Sequence, residues 1–180
     1  MTSTGNAMQT KLQTGLTMIE ILVVLAIAGI LAAAATPSLT SFVNSMRLTS
    51  TSTQLISDLN RARSEAIKRN RRVLVCPRGT DTTCGASWQN GWLVCYDEDQ
   101  NGLCDTAPAN GSNPNPIVVH QALNPVLTLA LAAGATPIRF NPSGTQGAGA
   151  IATWTLNGTW AGAVGKAVNI TAIGHIYKTP

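Results

Sequence analysis

The chain has 180 residues, 44% of them hydrophobic and 11% charged, a balance too apolar for an intrinsically disordered protein. Its net charge of +4 is unevenly spread: residues 47–72 hold seven Lys or Arg against Asp58 and Glu65, whereas residues 73–180 hold four basic and five acidic side chains. A uniformly basic domain is thereby excluded, and beyond the longest apolar run the length leaves room for one modest globular domain.

Residues 1–15 form a short leader whose one charge is Lys11 and whose last residue is Gly15. The next twenty residues, 16–35, contain a single charged side chain, Glu20. A helix of about 20 apolar residues matches the ~30 Å of hydrocarbon in a bilayer. A carboxylate inside such a run costs ~2.5–3.5 kcal/mol, so Glu20 requires a partner. The α-amine released by a cut after Gly15, in the same chain or on a neighbouring subunit, is the candidate. An ordinary export signal has a shorter apolar core, of ~7–15 residues, followed by a small-residue cleavage site. Ala32 to Ala35 mimic such a site but leave Gly15-Leu16-Thr17 and Glu20 unexplained.

Just past the run, Pro37 marks an expected bend in a helix predicted from about Leu16 to Asn70. In its second half Leu48, Leu55, Leu59, Ala62 and Ala66 fall on one helical face. Arg61, Arg63, Lys68 and Arg69 lie largely off that stripe, and the cationic last turn suits the helix dipole. The pattern then switches to short apolar runs bounded by Gly, Pro and Asp, beginning with residues 73–76 and 92–96. A loop dense in Asp, Asn, Gly and Pro spans 97–116, and further strands are expected at 117–121, 126–131, 138–140, 150–156, 167–172 and 176–177. Turns are expected at Asn141-Pro142-Ser143-Gly144 and Leu156-Asn157-Gly158-Thr159. The expected fold class is α+β, a helical spine packed on an antiparallel β-head.

Four cysteines, Cys76, Cys84, Cys95 and Cys104, lack any C-x-x-C spacing, so two disulfides are preferred to a zinc site. Three pairings are open; the two local ones, Cys76–Cys84 and Cys95–Cys104, are favoured, with a Cys76–Cys95 link between neighbouring strands as the alternative. His120 and His175 are the only imidazoles and neither lies in a nucleophile motif, so the chain reads as non-enzymatic, with no small-molecule substrate. Asp97, Asp99 and Asn101, followed by Gly102, resemble the first half of a calcium loop, but Pro108 stands where a bidentate Glu is needed. Asp105 offers a carboxylate earlier than that position; the preferred reading is an Asx-rich turn with no cofactor. Arg61, Arg63, Lys68, Arg69, Arg71, Arg72 and the nearby Arg78 are the one basic cluster, read either as a contact for DNA phosphates or, preferably, as a solvated helix end paired with Glu65 or Asp58. Among the tryptophans, Trp92 is expected in the core and Trp88 and Trp160 on the surface.

Gly15-Leu16-Thr17-Met18-Ile19-Glu20 resembles the processing site of type IV pilins and of the pseudopilins of type II secretion, with Leu16 in place of the usual Phe. Residues 61–70, 73–76, 91–94 and 138–144 resemble the FimT/GspH-like branch of minor pilins and pseudopilins. The resemblance implies cleavage after Gly15 by a prepilin peptidase and methylation of the Leu16 amine. It also implies assembly through Glu20, with a helix-kinking proline at Pro37. The implied organisation is a removed leader (1–15), a transmembrane and assembly helix (16–36), the periplasmic half of the helix (37–72) and a β-rich head (73–180). The implied location is the bacterial inner membrane, single-pass with the head in the periplasm, and then a pilus or pseudopilus. Other pilins or pseudopilins are the implied partners, in an initiating or tip complex. DNA-uptake members of the family carry a basic C-terminal Gly-Arg-x-Arg motif. Here the matching stretch is Gly174-His175-Ile176-Tyr177-Lys178, which keeps the Gly and one cation. The alternative function is therefore a DNA-binding minor pilin for natural transformation, using Arg69, Arg71, Arg72, His175 and Lys178.

Overall fold

The computed structural model describes residues 15–105, 115–133, 136–147, 149 and 151–179, with the backbone alone at 34–37. Lys11 in the leader, the Pro37 side chain and Pro108 lie outside the described residues. The chain divides into two compact units, one ending at Leu39 and the other running from Thr40.

One helix, α1 (Met18–Arg69, 52 residues), begins in the first unit and ends in the second. Its first turn is capped by Thr17, whose Oγ1 accepts the Glu20 backbone N–H at 3.3 Å. Such a cap satisfies one of the orphan donors at a helix start. Every described side chain from Leu16 to Ala33 is exposed, and α1 is long and apolar enough to cross a membrane. At the other end Asn70 adopts φ +52°, and the Arg71 N–H donates to Ala66 O at 3.2 Å. Together with Asn70 N–H to Ile67 O, this is a Schellman stop, and Asn tolerates the left-handed position better than most residues.

The second unit is built on the stripe read from the sequence. Leu48, Leu55, Leu59, Ala62 and Ala66 are each at most 1% exposed. They pack into one core with residues from two antiparallel four-stranded sheets. The first sheet has the order β3-β2-β1-β5, where β1 is Val73–Pro77, β2 Trp92–Tyr96, β3 Val118–His120 and β5 Ile138–Phe140. The second has the order β4-β6-β7-β8, with β4 Leu127–Ala133, β6 Ala152–Gly158, β7 Lys166–Ile170 and β8 Ile176–Thr179. In β1 and β2 alternate residues Val73, Val75, Trp92, Val94 and Tyr96 join the helix-facing core. Leu74, Cys76, Leu93 and Cys95 face the other way, yet are equally buried, which is why both strands read as unbroken apolar runs.

Two expectations are corrected. The turn expected at 156–159 lies later, because β6 continues to Gly158, where the ladder to β4 pairs Thr128 with Asn157 and Leu127 with Gly158. Trp88 is not a surface contact: it is 5% exposed and meets Trp154 edge-on at 5.3 Å, closing the end of the core. Trp160 is partly buried against the same core, and Trp92 is fully buried as expected.

The helix–sheet contact generates a stability prediction. Leu59→Ala should destabilise the full chain in detergent by about 2–5 kcal/mol in urea unfolding, the usual cost of a buried Leu truncation. Val164→Ala, at a residue 73% exposed, should change the midpoint little.

Candidate functional site

In the first unit the processing and assembly residues sit at the start of α1. A Cβ built on Gly15 meets nothing within 4 Å, and Leu16 is 71% exposed. Glu20 lies in the first turn of the helix, where the dipole favours a negative charge. Among the described residues no cation lies within ion-pair distance of Glu20. Thr17, which reasoning from the apolar run passed over, sets the first turn; the signal was its position three residues before Glu20.

In the second unit the basic cluster is largely neutralised from within. Arg69 pairs with Glu65 at 3.2 Å, one turn earlier. Arg71 pairs with Glu98, and Arg72 with Asp97 at 3.4 Å, so the loop after β2 supplies the counter-charges. Arg78 pairs with Asp81 at 2.9 Å and donates to Asn90 O. Arg63 donates through Nε to Gly144 O at 2.9 Å and through Nη2 to Ile173 O at 3.3 Å, tying α1 to two distant turns. Asp58 does not serve the cluster as expected. Its carboxylate accepts from Trp92 Nε1 at 3.0 Å and from Gln54 Nε2 at 3.0 Å, because that helix face looks into the first sheet.

The acidic loop is an Asx-turn array. Asp97 is fully buried, with Oδ1 accepting from Gly102 N–H and Oδ2 facing Arg72. Asp99 Oδ1 accepts the Asn101 N–H at 3.1 Å, and Asn101 Oδ1 accepts the Leu103 N–H at 2.7 Å. Asp105 Oδ2 accepts the Glu98 N–H at 2.6 Å. Burial first, and then the nearby Asp99 and Asp97 charges, push the Asp105 carboxyl above its ordinary 3.8.

At the C-terminal stretch His175 stacks on Tyr177, rings 5.5 Å apart and inclined by 22°. Both are exposed, as is Lys178, and β8 is an edge strand. No hydrogen bond or ion pair among the described residues joins His175 or Lys178 to Arg69, Arg71 or Arg72. Gly174 has a structural reason: at φ +79° its Cβ would stand 2.1 Å from Gly144 O. The cysteines adopt the two local pairings, Cys76–Cys84 and Cys95–Cys104.

Comparison with known proteins is consistent with this geometry. The family model described as "Type II transport protein GspH" matches residues 51–174, and the "Prokaryotic N-terminal methylation motif" matches residues 10–36. The fold is similar to that of the type IV minor pilin FimU of Pseudomonas aeruginosa in two crystal forms. In one, the TM-score is 0.53 at 22% identity, covering 77% of this chain and 92% of that one. In the other, the TM-score is 0.51 at 22% identity, with coverage of 73% and 92%. No curated protein sequence matches the chain.

Glu65 carries a pH dependence. Burial pushes its carboxyl up, but the Tyr96 hydroxyl bond at 2.9 Å and the Arg69 guanidinium outweigh burial and hold it below the ordinary 4.5. A carboxyl lowered by folding contributes stability that is present above its unfolded pKa and lost as pH falls through the folded value. Tyr96→Phe should therefore cost about 1.5–3 kcal/mol at neutral pH. The gap between the thermal unfolding midpoints of the variant and the parent should narrow as pH is lowered past the folded-state pKa of Glu65, below 4.5.

Proposed function

Because the chain belongs to the GspH family of type II transport proteins, we infer that it is a structural, non-enzymatic subunit of a type IV pilus or type II secretion pseudopilus. The observation that carries this reading is the order of parts: an N-terminal methylation motif, an apolar helix with a single carboxylate in its first turn, and a GspH-type domain. Residues 16–36 anchor the subunit in the inner membrane, with the head on the periplasmic side. A prepilin peptidase cuts after Gly15 and the Leu16 amine is methylated. When the subunit leaves the bilayer, its apolar helix packs among those of its neighbours, and Glu20 neutralises the α-amine of an adjacent subunit. That pairing offsets the ~2.5–3.5 kcal/mol that an isolated carboxylate costs in hydrocarbon. It also sets the axial register between helices, because a shifted neighbour leaves both charges bare. The head then engages partner subunits in an initiating or tip complex, which suits a domain in which Arg69, Arg71 and Arg72 at the helix end are met by its own carboxylates.

Glu20→Ala should leave membrane insertion intact while lowering the amount of subunit recovered in sheared filaments. Unchanged recovery would rule out the charge pairing. Gly15→Val should accumulate as the uncut precursor on a denaturing gel, and normal maturation of that variant would refute the processing site.

A DNA-binding role in transformation is a second reading, favoured by the exposed His175–Tyr177 stack and by Lys178, exposed on the same strand. Exposed aromatics suit bases, and an exposed cation suits phosphates. The pairing of Arg69, Arg71 and Arg72 with carboxylates moves the weight of this reading onto the C-terminal strand. Binding of double-stranded DNA to the full chain in detergent, measured across salt concentrations, tests it. Lys178→Gln should reduce the salt slope by about 0.9 and Arg71→Gln should leave it unchanged. No binding at low salt would leave the structural role alone.

A further inference from the structure

The four cysteine sulfurs form a single cluster although the sequence separates them by at least eight residues within each pair. Leu74 opposes Cys95 and Cys76 opposes Leu93 in the β1–β2 ladder, so Cys76 and Cys95 lie on the same sheet face on adjacent strands. The loops after each strand return Cys84 and Cys104 over that face. All four Sγ atoms lie within 4.8 Å of one another. The unbonded pairs Cys84–Cys104 and Cys76–Cys104 are 3.6 Å and 3.9 Å apart. A tetrahedral zinc tetrathiolate with Zn–S bonds of about 2.3 Å has sulfur–sulfur edges of about 3.8 Å.

The disulfides are not what alone holds these sulfurs together. Loop 78–85 is closed by its own backbone bonds, Gly79 N–H to Thr83 O at 2.9 Å and Gly85 N–H to Pro77 O at 2.7 Å. Loop 97–105 is closed by Asp105 N–H to Tyr96 O at 3.1 Å and by the Asp97 and Asp105 carboxylates on the Gly102 and Glu98 amides. Opening the two S–S bonds therefore leaves four thiols on a prebuilt frame. Cys76 and Cys95 are buried and Cys84 and Cys104 half-buried, the enclosure of a structural metal site. Arg139 opposes Leu74 on the same sheet face, and its Nη2 would stand 2.7 Å from a Cβ on Gly102. Its guanidinium thus lies against Gly102, two residues before Cys104.

We propose that the reduced chain holds a soft divalent metal, zinc above all, on Cys76, Cys84, Cys95 and Cys104. The metal and the two disulfides are then alternative staples for the same two loops. With a phosphine reductant, each disulfide accepts two electrons and gives two thiols, while the phosphine takes oxygen from water and becomes its oxide. Metal binding displaces four thiol protons. A disulfide oxidant that removes four electrons restores both S–S bonds and expels the metal.

The test uses the full chain in detergent, reduced with a phosphine that is then removed without air, and titrated with Co(II). The expected result is one cobalt per chain with the ligand-field and charge-transfer bands of a tetrahedral tetrathiolate, displaced by Zn(II) and absent in the oxidised chain. Cys84→Ser should weaken binding at least tenfold. Tryptophan fluorescence of the metal-loaded chain should match that of the oxidised chain, since Trp92 and Trp154 report the intact core. Octahedral or substoichiometric cobalt, equal affinity in the urea-unfolded chain, or a loaded chain with unfolded-type fluorescence would each overturn the proposal.

Discussion

Between Leu48 and Ala66 one face of α1 is withdrawn from water against both sheets, and the rest of the second unit is referenced to that contact. Apolar burial is strong but has no direction, so by itself it would allow the helix to rotate or slide. Direction comes from polar tethers placed along the flanks of the stripe. Lys166 Nζ reaches Thr49 Oγ1 at 2.7 Å, Asp58 accepts from the Trp92 indole, and Glu65 accepts from the Tyr96 hydroxyl. Arg63 then reaches across to the turns at 144 and 173. The tethers join α1 to β7, to both ends of β2 and to two turns, and together they fix its rotation and its axial position.

This arrangement changes the meaning of the charge distribution. A string of arginines at a helix end looks like an offered surface when composition is all that is known. In the folded head the same arginines are met by Glu65, Asp97 and Glu98, and the loop that brings two of those carboxylates is stapled by Cys95–Cys104. The cluster is thus a joint between helix end and loop. The His175–Tyr177 stack at the start of β8 and Lys178 on that strand are exposed.

What could be read in advance follows from the range of the forces involved. The helix, its buried stripe, its stop near Asn70 and the strands at 73–77, 92–96 and 138–140 are written in local periodicity and in breakers. The short loops between paired cysteines likewise favoured the local pairing. The destination of Asp58 was not legible, because its partner Trp92 lies 34 residues away and only the register of α1 on the sheet selects it. Trp88 looked exposed beside its turn residues because nothing local signals that Trp154 will close over it. The extra length of β6 is likewise set by β4, a strand that ends 19 residues before it begins. The clustering of the four sulfurs, too, depends on the β1–β2 register and on two loops folding back to one face.

The Arg63 clasp bears on the order in which the molecule can be completed. Its guanidinium belongs to the helix, which is synthesised before the head, but its acceptors are the carbonyls of Gly144 and Ile173. Gly174 lets the second of those turns press against the first. The clasp can therefore half-form once residue 144 has been made and is complete only when residue 173 follows, and β8 docks on β7 immediately after it. A chain cut between these two turns keeps the Arg63 bond to Gly144 O but leaves its Nη2 without the Ile173 carbonyl. A head that has reached residue 173 thus differs from a shorter one at a single arginine of the helix, which then holds two turns instead of one.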